Sequence, residues 1–273
     1  MTASYPLAPK TVQWQVDARG IASVTLNRPE RSNAMNALML GELATLLRAL
    51  DADTTVRMVA LRGAGRHFCA GADVAADAAP DGAVDGSAAT ATVATPTITQ
   101  LCDQLDRLSK PVIAVVHGAC VGGGVAIAAC CDIVLAATDA FFAITEVRLG
   151  FAAAPLMPFF VRALGSRSAR RYVLTAERMT AAEGLRLGFV HRVEPRDALD
   201  EALAALADEI QLGAPGAIAA SKALIARVEG LPIDAQTLDR LEAEFESSHH
   251  NEEAREGVAA FRERRRPGWY RAP

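Results

Sequence analysis

The stretch that decides the fold is Pro111-Val112-Ile113-Ala114-Val115-Val116-His117-Gly118-Ala119-Cys120-Val121-Gly122-Gly123-Gly124. Its first part, Val112 to Val116, is a continuous apolar run rich in β-branched residues, which is typical of a strand buried on both faces of a sheet. The glycines then lead into an apolar segment that we predict to be a helix through Cys131. A buried strand that passes through glycines into a helix is the repeating unit of an α/β protein.

A second unit of the same kind lies earlier in the chain. Val56 to Leu61 predicts a strand, and the loop His67-Phe68-Cys69-Ala70-Gly71-Ala72-Asp73 follows it. Small residues let a ligand approach the backbone, and N–H groups at a helix start carry partial positive charge. Two such groups that converge on one oxygen would form an oxyanion hole. Close packing of helix on strand explains the glycines of either loop equally well. Neither loop carries the dinucleotide-binding or P-loop pattern.

Outside these loops, strands alternate with helices over the first part of the chain, and helices fill the last third. This order predicts an α/β core over residues 1–195 and a helical C-terminal region over residues 196–273. Val74 to Pro96 has almost no large side chains and predicts a surface loop or weak helix. The remaining predicted elements are a hairpin (12–16 with 21–26), helices (36–50, 98–108, 196–212, 215–228, 233–248, 251–265), short strands (132–136, 140–143) and a capping box at 180–183.

Composition excludes several classes of function. The 28 Lys and Arg residues against 32 Asp and Glu give a net charge of −4. A negative net charge does not favour binding to nucleic acid or to an anionic membrane. No apolar run approaches the roughly 18 residues of a membrane-spanning helix. The five cysteines lack Cys-x-x-Cys spacing, so we expect free thiols, a reducing compartment and a cytoplasmic location. The five histidines show no metal-ligand spacing, and we expect no metal.

Glu146, in Ile144-Thr145-Glu146-Val147-Arg148-Leu149-Gly150, is the candidate acid or base. A carboxylate between apolar segments is usually an exposed residue at a strand end. Beside an oxyanion hole it could instead move a proton at carbon. Arg148 could contact a charged acyl group or pair with a structural carboxylate. His67 is interpreted as a surface or packing residue rather than a base.

Taken together, these segments resemble the enoyl-CoA hydratase/isomerase (crotonase) superfamily over nearly the whole chain. The matching segments are Leu26–Pro29 with Asn33–Asn36, Phe68–Asp73, Gly122–Gly124 with Cys131–Ile133, Glu146–Gly150 and Phe261–Pro267. The resemblance implies a spiral of ββα units with a helical C-terminal trimerisation region, assembled as a trimer or a dimer of trimers. It also implies an acyl-CoA thioester as substrate and no separate cofactor.

Site residues follow from the same resemblance, position by position. It places the oxyanion N–H groups on Ala72 and Gly123 and the proton-transferring carboxylate on Glu146. The implied substrate and CoA contacts are Ala70, Ala72, Asp73, Val74, Ala75, Gly123, Phe261 and Arg264. The last two often belong to a neighbouring subunit in such proteins.

One position departs from the pattern of the two-glutamate hydratases. Their first glutamate lies three residues beyond the oxyanion glycine, where this chain has Ala126. A single glutamate is sufficient for a Δ3,Δ2-enoyl-CoA isomerase. A narrower resemblance favours hydration, because Thr145–Gly150, Ala169–Arg178, Gly65–Phe68 and Cys130–Asp132 are similar to bacterial 3-methylglutaconyl-CoA and isohexenylglutaconyl-CoA hydratases. We therefore predict an enoyl-CoA hydratase. An isomerase and a CoA binder that has lost its activity are the alternatives. The basic cluster at 262–266 is a weak argument for RNA binding.

Overall fold

A computed structural model describes residues 9–73 and 95–272. The predicted surface segment at 74–96 therefore lies outside the described residues, apart from its last two positions. The strands are β1 (Val12–Val16), β2 (Ile21–Leu26), β3 (Met58–Gly63), β4 (Val112–Val116), β5 (Ala119–Val121), β6 (Ile133–Ala137), β7 (Phe141–Ala143), β8 (Met179–Thr180) and β9 (Arg192–Glu194). The helices are α1 (Ala37–Ala52), α2 (Ile98–Arg107), α3 (Gly123–Ala129), α4 (Met157–Thr175), α5 (Ala181–Arg186), α6 (Leu199–Leu212), α7 (Pro215–Val228), α8 (Ala235–Ser248) and α9 (Glu252–Glu263).

The main sheet of the described chain has the strand order β1-β2-β3-β4-β6-β9. The predicted hairpin β1–β2 is antiparallel, and every later pairing in this sheet is parallel. A smaller sheet has the order β5-β7-β8, with β5 and β7 parallel. All five residues of β4 are buried, as its uninterrupted apolar run predicts for a central parallel strand. The α/β prediction is confirmed.

The helices begin where local chemistry favours it. The Asn36 side chain accepts a hydrogen bond from the Met39 N–H and caps α1, and the Thr97 side chain caps α2 together with Gln100 in a capping box. Only half of the predicted capping box at α5 forms. Thr180 accepts from the Glu183 N–H, whereas the Glu183 carboxylate accepts hydrogen bonds from Tyr172 and Arg186.

The predicted C-terminal region divides into two parts by burial. Helix α6 packs on the sheet through Leu199, Ala202, Leu203 and Ala207, so it shares the main core. Helices α7 and α8 bury no residue, and α9 buries only Ala260. A domain boundary at 195/196 stays a prediction. No helix of the described residues is long and apolar enough to cross a bilayer. All five cysteines are buried free thiols.

Candidate active site

The two glycine loops lie side by side. Cys69 and Cys120 form a parallel bridge, and the Val121 N–H donates to the Cys69 carbonyl at 2.9 Å. A Cβ on Gly71 would lie 3.7 Å from the Gly122 Cα, so the two backbones are close at this point. Both glycines have positive φ, +93° and +52°, which favours residues without a Cβ. The structure therefore brings together the two loops that the sequence singled out.

Each loop presents one backbone N–H that has no acceptor among the described residues. The Met35 N–H donates to the Gly71 carbonyl, and the Asp73 N–H donates to the Met35 carbonyl. In this parallel bridge the N–H of Ala72, between those two residues, points away from Met35. Gly123 is the first residue of α3, where N–H groups lack an acceptor within the helix. Within residues 9–73 and 95–272 neither N–H donates a hydrogen bond, and both residues line the same cavity.

Each of the three consecutive glycines lacks a side chain for a different steric reason. A Cβ on Gly122 would lie 3.1 Å from Glu146 Oε1, one on Gly123 would lie 2.6 Å from Met35 Cε, and one on Gly124 would lie 2.9 Å from the Cys69 Cβ. Close packing of α3 against the first glycine loop thus accounts for Gly124. Gly122 and Gly123 instead keep space free beside the carboxylate and beside the cavity wall.

The cavity that these loops line has a volume of about 640 Å³. Ala70, Ala72, Gly123 and Glu146 of the predicted site all contribute to its wall. The rest of the wall comes from the start of α1, from the residues that precede and begin α2, and from the loop after Glu146. Its large apolar side chains are Met35, Leu40, Ile98, Leu149, Phe151 and Leu156.

Glu146 begins a 3-10 turn (Glu146–Leu149) three residues after β7. Its position depends on the glycine loop, because the Gly122 N–H donates to the Ala143 carbonyl at the end of β7 at 2.8 Å. Glu146 is half-buried and lines the cavity, so it is not a solvated strand-end residue. Its Oε2 is buried and has no hydrogen-bond partner among the described residues. A buried carboxylate oxygen without a donor has free capacity to accept a hydrogen bond from a ligand.

Asp73 differs from the CoA contact that the resemblance implies. Its side chain is 7% exposed and pairs with Arg28 at 2.8 Å, and it does not line the cavity. Arg28 also donates to the Ala34 carbonyl, and the fully buried Asn33 accepts from the Arg28 N–H. Asn33 in turn donates to the carbonyls of Ala64 and His67. These contacts hold the loop that carries Ala72, so the Asp73 side chain fixes the loop.

His67 and Cys69 have structural roles. The Ala119 N–H donates to His67 Nδ1 at 3.0 Å, and burial together with the nearby Arg66 and Arg196 lowers the pKa of His67. The Cys69 thiol donates to the Asn33 carbonyl at 3.2 Å, and burial raises its pKa to about 12. A neutral imidazole that accepts from the backbone and a thiol that stays protonated join the two loops together. The interpretation of His67 as a packing residue is confirmed.

Several sequence-predicted residues lie away from the cavity. Ala126, on α3, is fully buried in the core and does not line the cavity. Arg148 is exposed. Phe261 is 85% exposed on α9, and Arg264 caps that helix with φ +54°, so neither contributes to the cavity of this chain. Val74 and Ala75 lie outside the described residues.

The sequence did not single out the loop from Phe151 to Leu156 as part of the site. This segment is apolar but follows neither a helical nor a strand period, and it comes directly after Gly150, the left-handed residue that ends the turn of Glu146. An aperiodic apolar stretch beside a candidate carboxylate was the available signal. Among the described residues no group of three or more His, Cys, Asp or Glu side chains is placed to hold a metal ion.

Fold and site together define an α/β protein with an apolar cavity, whose wall includes one half-buried carboxylate and two N–H groups that have no acceptor among the described residues. The chain belongs to the enoyl-CoA hydratase/isomerase family, whose model matches residues 17–272. It shares the family function of acting on enoyl-CoA thioesters as a hydratase or an isomerase.

Individual relatives include both reaction types. The chain is 32% identical over 251 residues to the mevalonyl-coenzyme A hydratase sidH of Aspergillus fumigatus, covering 91% of each chain. It is 36% identical over 210 residues to the human mitochondrial Δ(3,5)-Δ(2,4)-dienoyl-CoA isomerase, covering 74% of this chain and 64% of the relative. Among solved structures, Pseudomonas aeruginosa AtuE matches with a TM-score of 0.86 and 36% identity, covering 96% of this chain and all of that one. The crotonase fold is thereby confirmed.

Proposed function

We propose that this chain is an enoyl-CoA hydratase that adds water across the 2,3 double bond of an acyl-CoA thioester. One observation carries the proposal. Glu146, whose buried Oε2 has no partner among the described residues, lines the same cavity as Ala72 and Gly123, whose N–H groups have no acceptor there. A carboxylate that can move a proton and two donors that can hold an oxyanion are the two requirements of chemistry through an enolate.

The steps assign one role to each group. The N–H groups of Ala72 and Gly123 donate to the thioester oxygen and stabilise the negative charge that develops there, which is worth several kcal/mol for each well-placed donor. Water oxygen bonds to C3, and Glu146 accepts the proton that water releases. The resulting enolate then takes a proton at C2 from the Glu146 carboxylic acid. One water is consumed, and the carboxylate is regenerated.

Ala126 makes this double use of Glu146 necessary. Its methyl group lies in the core and can neither hold nor deprotonate water. A single carboxylate can complete the addition, because the proton that it takes from water is the proton that C2 needs. Substrate groups or ordered water would supply any further positioning of the attacking water.

A Δ3,Δ2-enoyl-CoA isomerase is the second candidate, and the solitary carboxylate of the described cavity wall favours it. Glu146 would remove a proton from C2 of a 3-enoyl thioester and return it at C4. The oxyanion donors would act as they do in hydration. The human dienoyl-CoA isomerase among the relatives is in line with this alternative.

Acyl chain and assembly are also proposals. The narrow sequence resemblance alone suggests a branched glutaconyl-type acyl chain, whereas the apolar wall of the cavity favours a neutral one. Assembly as a trimer or a dimer of trimers is supported by α7 and α8, which bury no residue in the described chain, and by Ile225, Ile233 and Phe245, which they and the linker between them expose. In such an assembly Phe261 and Arg264 would contact the CoA of a neighbouring subunit.

Isotope incorporation distinguishes the reactions. We would incubate the protein in H2¹⁸O with a 2-enoyl-CoA, a 3-enoyl-CoA and 3-methylglutaconyl-CoA, and follow each product by mass spectrometry. A hydratase gives ¹⁸O-labelled 3-hydroxyacyl-CoA from a 2-enoyl substrate. Turnover of the 3-enoyl substrate alone, without label, would identify an isomerase and overturn the hydratase proposal.

Glu146→Gln tests the role of the carboxylate, with Glu201→Gln on the exposed face of α6 as control. We expect Glu146→Gln to lower turnover by about 100-fold or more and Glu201→Gln to leave it unchanged. Wild-type protein that binds CoA thioesters without turning over any of the three would identify a CoA binder that has lost its activity.

A further inference from the structure

The wall of the site cavity is hydrocarbon over most of its described surface. Its alanines, prolines and glycines add small apolar or backbone surface, and its large apolar side chains carry no polar atom that can bind a charge. The polar side chains on the wall are Asn36, Thr95, Thr145 and Glu146. The oxygen of the Asn36 side chain is already engaged as the cap of α1.

Glu146 is the titratable residue of the described wall. Its Oε2 is buried and receives no hydrogen bond within the described residues, so no donor offsets its charge there. A second carboxylate placed in the same cavity would meet like charge and would lose its own hydration.

No Lys, Arg or His of the described residues lines the cavity. Arg148 is exposed and does not line the cavity, although it is two residues from Glu146. Arg28 is committed to Asp73 and to the Ala34 carbonyl. The sequence from 74 to 94 contains three aspartates and no Lys, Arg or His. That segment therefore has no cationic side chain to offer an acidic ligand.

From this wall we infer that the cavity selects acyl groups that carry no charge, and that it disfavours a glutaconyl-type arm with its free carboxylate. The inference rests on the proposed function in one respect, since it takes the cavity to be the acyl site. It specifies the substrate class as neutral apolar 2-enoyl-CoA thioesters.

A matched pair of unreactive analogues tests the inference by binding alone. 3-Methylpentanoyl-CoA and 3-methylglutaryl-CoA have the same branching and differ by a terminal methyl against a terminal carboxylate. With the full-length protein in its native assembly, we expect calorimetry to give at least about tenfold tighter binding of the neutral analogue. Equal or tighter binding of the carboxylate analogue would overturn the inference, because a cation must then reach the cavity.

Two variants separate charge from shape. Glu146→Gln removes the repelling charge, and we expect the ratio of the two dissociation constants to fall toward one. Leu149→Arg places a cation on the wall at a 58% exposed position, so we expect it to tighten binding of the carboxylate analogue. Leu149→Gln has similar length without charge, and we expect it to keep the neutral preference. An unchanged ratio in both Glu146→Gln and Leu149→Arg would contradict the electrostatic cause.

Failure of this inference is distinguishable from failure of the proposed function. A protein that hydrates no enoyl-CoA but keeps the binding preference would overturn the hydratase proposal and support the neutral acyl site. A protein that hydrates 3-methylglutaconyl-CoA faster than neutral 3-methyl-2-pentenoyl-CoA would support hydration and overturn the neutral acyl site.

Discussion

The guanidinium of Arg28 lies 2.8 Å from the carboxylate of Asp73, and both side chains are largely buried, at 13% and 7% exposure. This pair joins the segment after β2 to the residue that follows Ala72. It therefore acts on the site through the backbone.

Asp73→Asn removes the negative partner and leaves the Arg28 charge buried. Because an unpaired buried charge is strongly destabilising, we expect the free energy of unfolding to fall by about 3 kcal/mol. Urea denaturation measures this change. Asp103→Asn breaks an exposed pair with Arg107 and serves as control, and we expect it to leave the denaturation midpoint in place. Equal effects of the two variants would contradict the structural role of Asp73.

Gly122→Ala tests the contact between the glycine loop and the carboxylate. A methyl group at this position would lie 3.1 Å from Glu146 Oε1, and φ is +52°. We expect turnover to fall by about 100-fold because the carboxylate is displaced, with a loss of about 1 kcal/mol of stability from left-handed strain. Gly188→Ala carries the same kind of strain at φ +78° with nothing within 4 Å. Steady-state kinetics should therefore show full activity for Gly188→Ala, and an equal loss would assign the effect to strain.

The buried environment of His117 predicts that the protein is less stable at acidic pH. Its Nε2–H donates to the Gly65 carbonyl at 3.0 Å, and burial, with the nearby Arg196, lowers its pKa below the usual 6.5. His117 binds a proton more readily in the unfolded protein than in the folded one. The stability that the neutral, hydrogen-bonded His117 contributes is therefore complete above about pH 6.5 and is lost as the pH falls below that value.

His117→Gln keeps a donor toward Gly65 and cannot titrate. We expect urea midpoints measured between pH 7.5 and 5.5 to change less in this variant than in wild type. His250→Gln alters an exposed histidine and should keep the wild-type slope. An unaltered slope in His117→Gln would place the acid sensitivity elsewhere.

Arg57 joins the C-terminal segment to the core through hydrogen bonds. It is buried and donates to Gln211 Oε1 at 3.0 Å, to the Gly213 carbonyl at 2.8 Å and to the Trp269 carbonyl at 2.7 Å. Arg57→Ala leaves these acceptors without their donor, and we expect a loss of about 3 kcal/mol and faster proteolytic cleavage after α6. Arg48→Ala, on the exposed surface of α1, should match wild type in both measurements.

Sequence patterns alone predict those helices and strands whose own residues form a recognisable local pattern. The hairpin, β4 and α7 occur at the predicted residues, because alternation, an unbroken apolar run and a leading proline are local features. Strands β8 and β9 have two and three residues, too few to show a period, and form through pairing with β7 and β6. β3 begins and ends two residues later than predicted, because its parallel register with β2 extends to Gly63 opposite Leu26.

The candidate site likewise has parts that the sequence predicts and parts that depend on tertiary packing. The sequence identifies the two glycine loops and the carboxylate after an apolar strand, and the structure brings them into one cavity. The resemblance assigns Asp73 to the CoA site by its position in the motif, whereas its partner Arg28 lies 45 residues earlier in the sequence. Cavity residues such as Met35 and Ile98 are ordinary apolar residues in the sequence, and only packing places them against Gly123.

Helices α7 and α8 have consequences for amide hydrogen exchange. Since no residue of either helix is fully buried in the described chain, we expect their amide protons to exchange through local opening of the helices. We expect the amides of β3 and β4, at the centre of the main sheet, to exchange only through global unfolding. Slower exchange in α8 than in an isolated helix would therefore measure how much of this surface a second copy covers. Amide exchange rates in the C-terminal helices would then report whether the protein has assembled with a second copy.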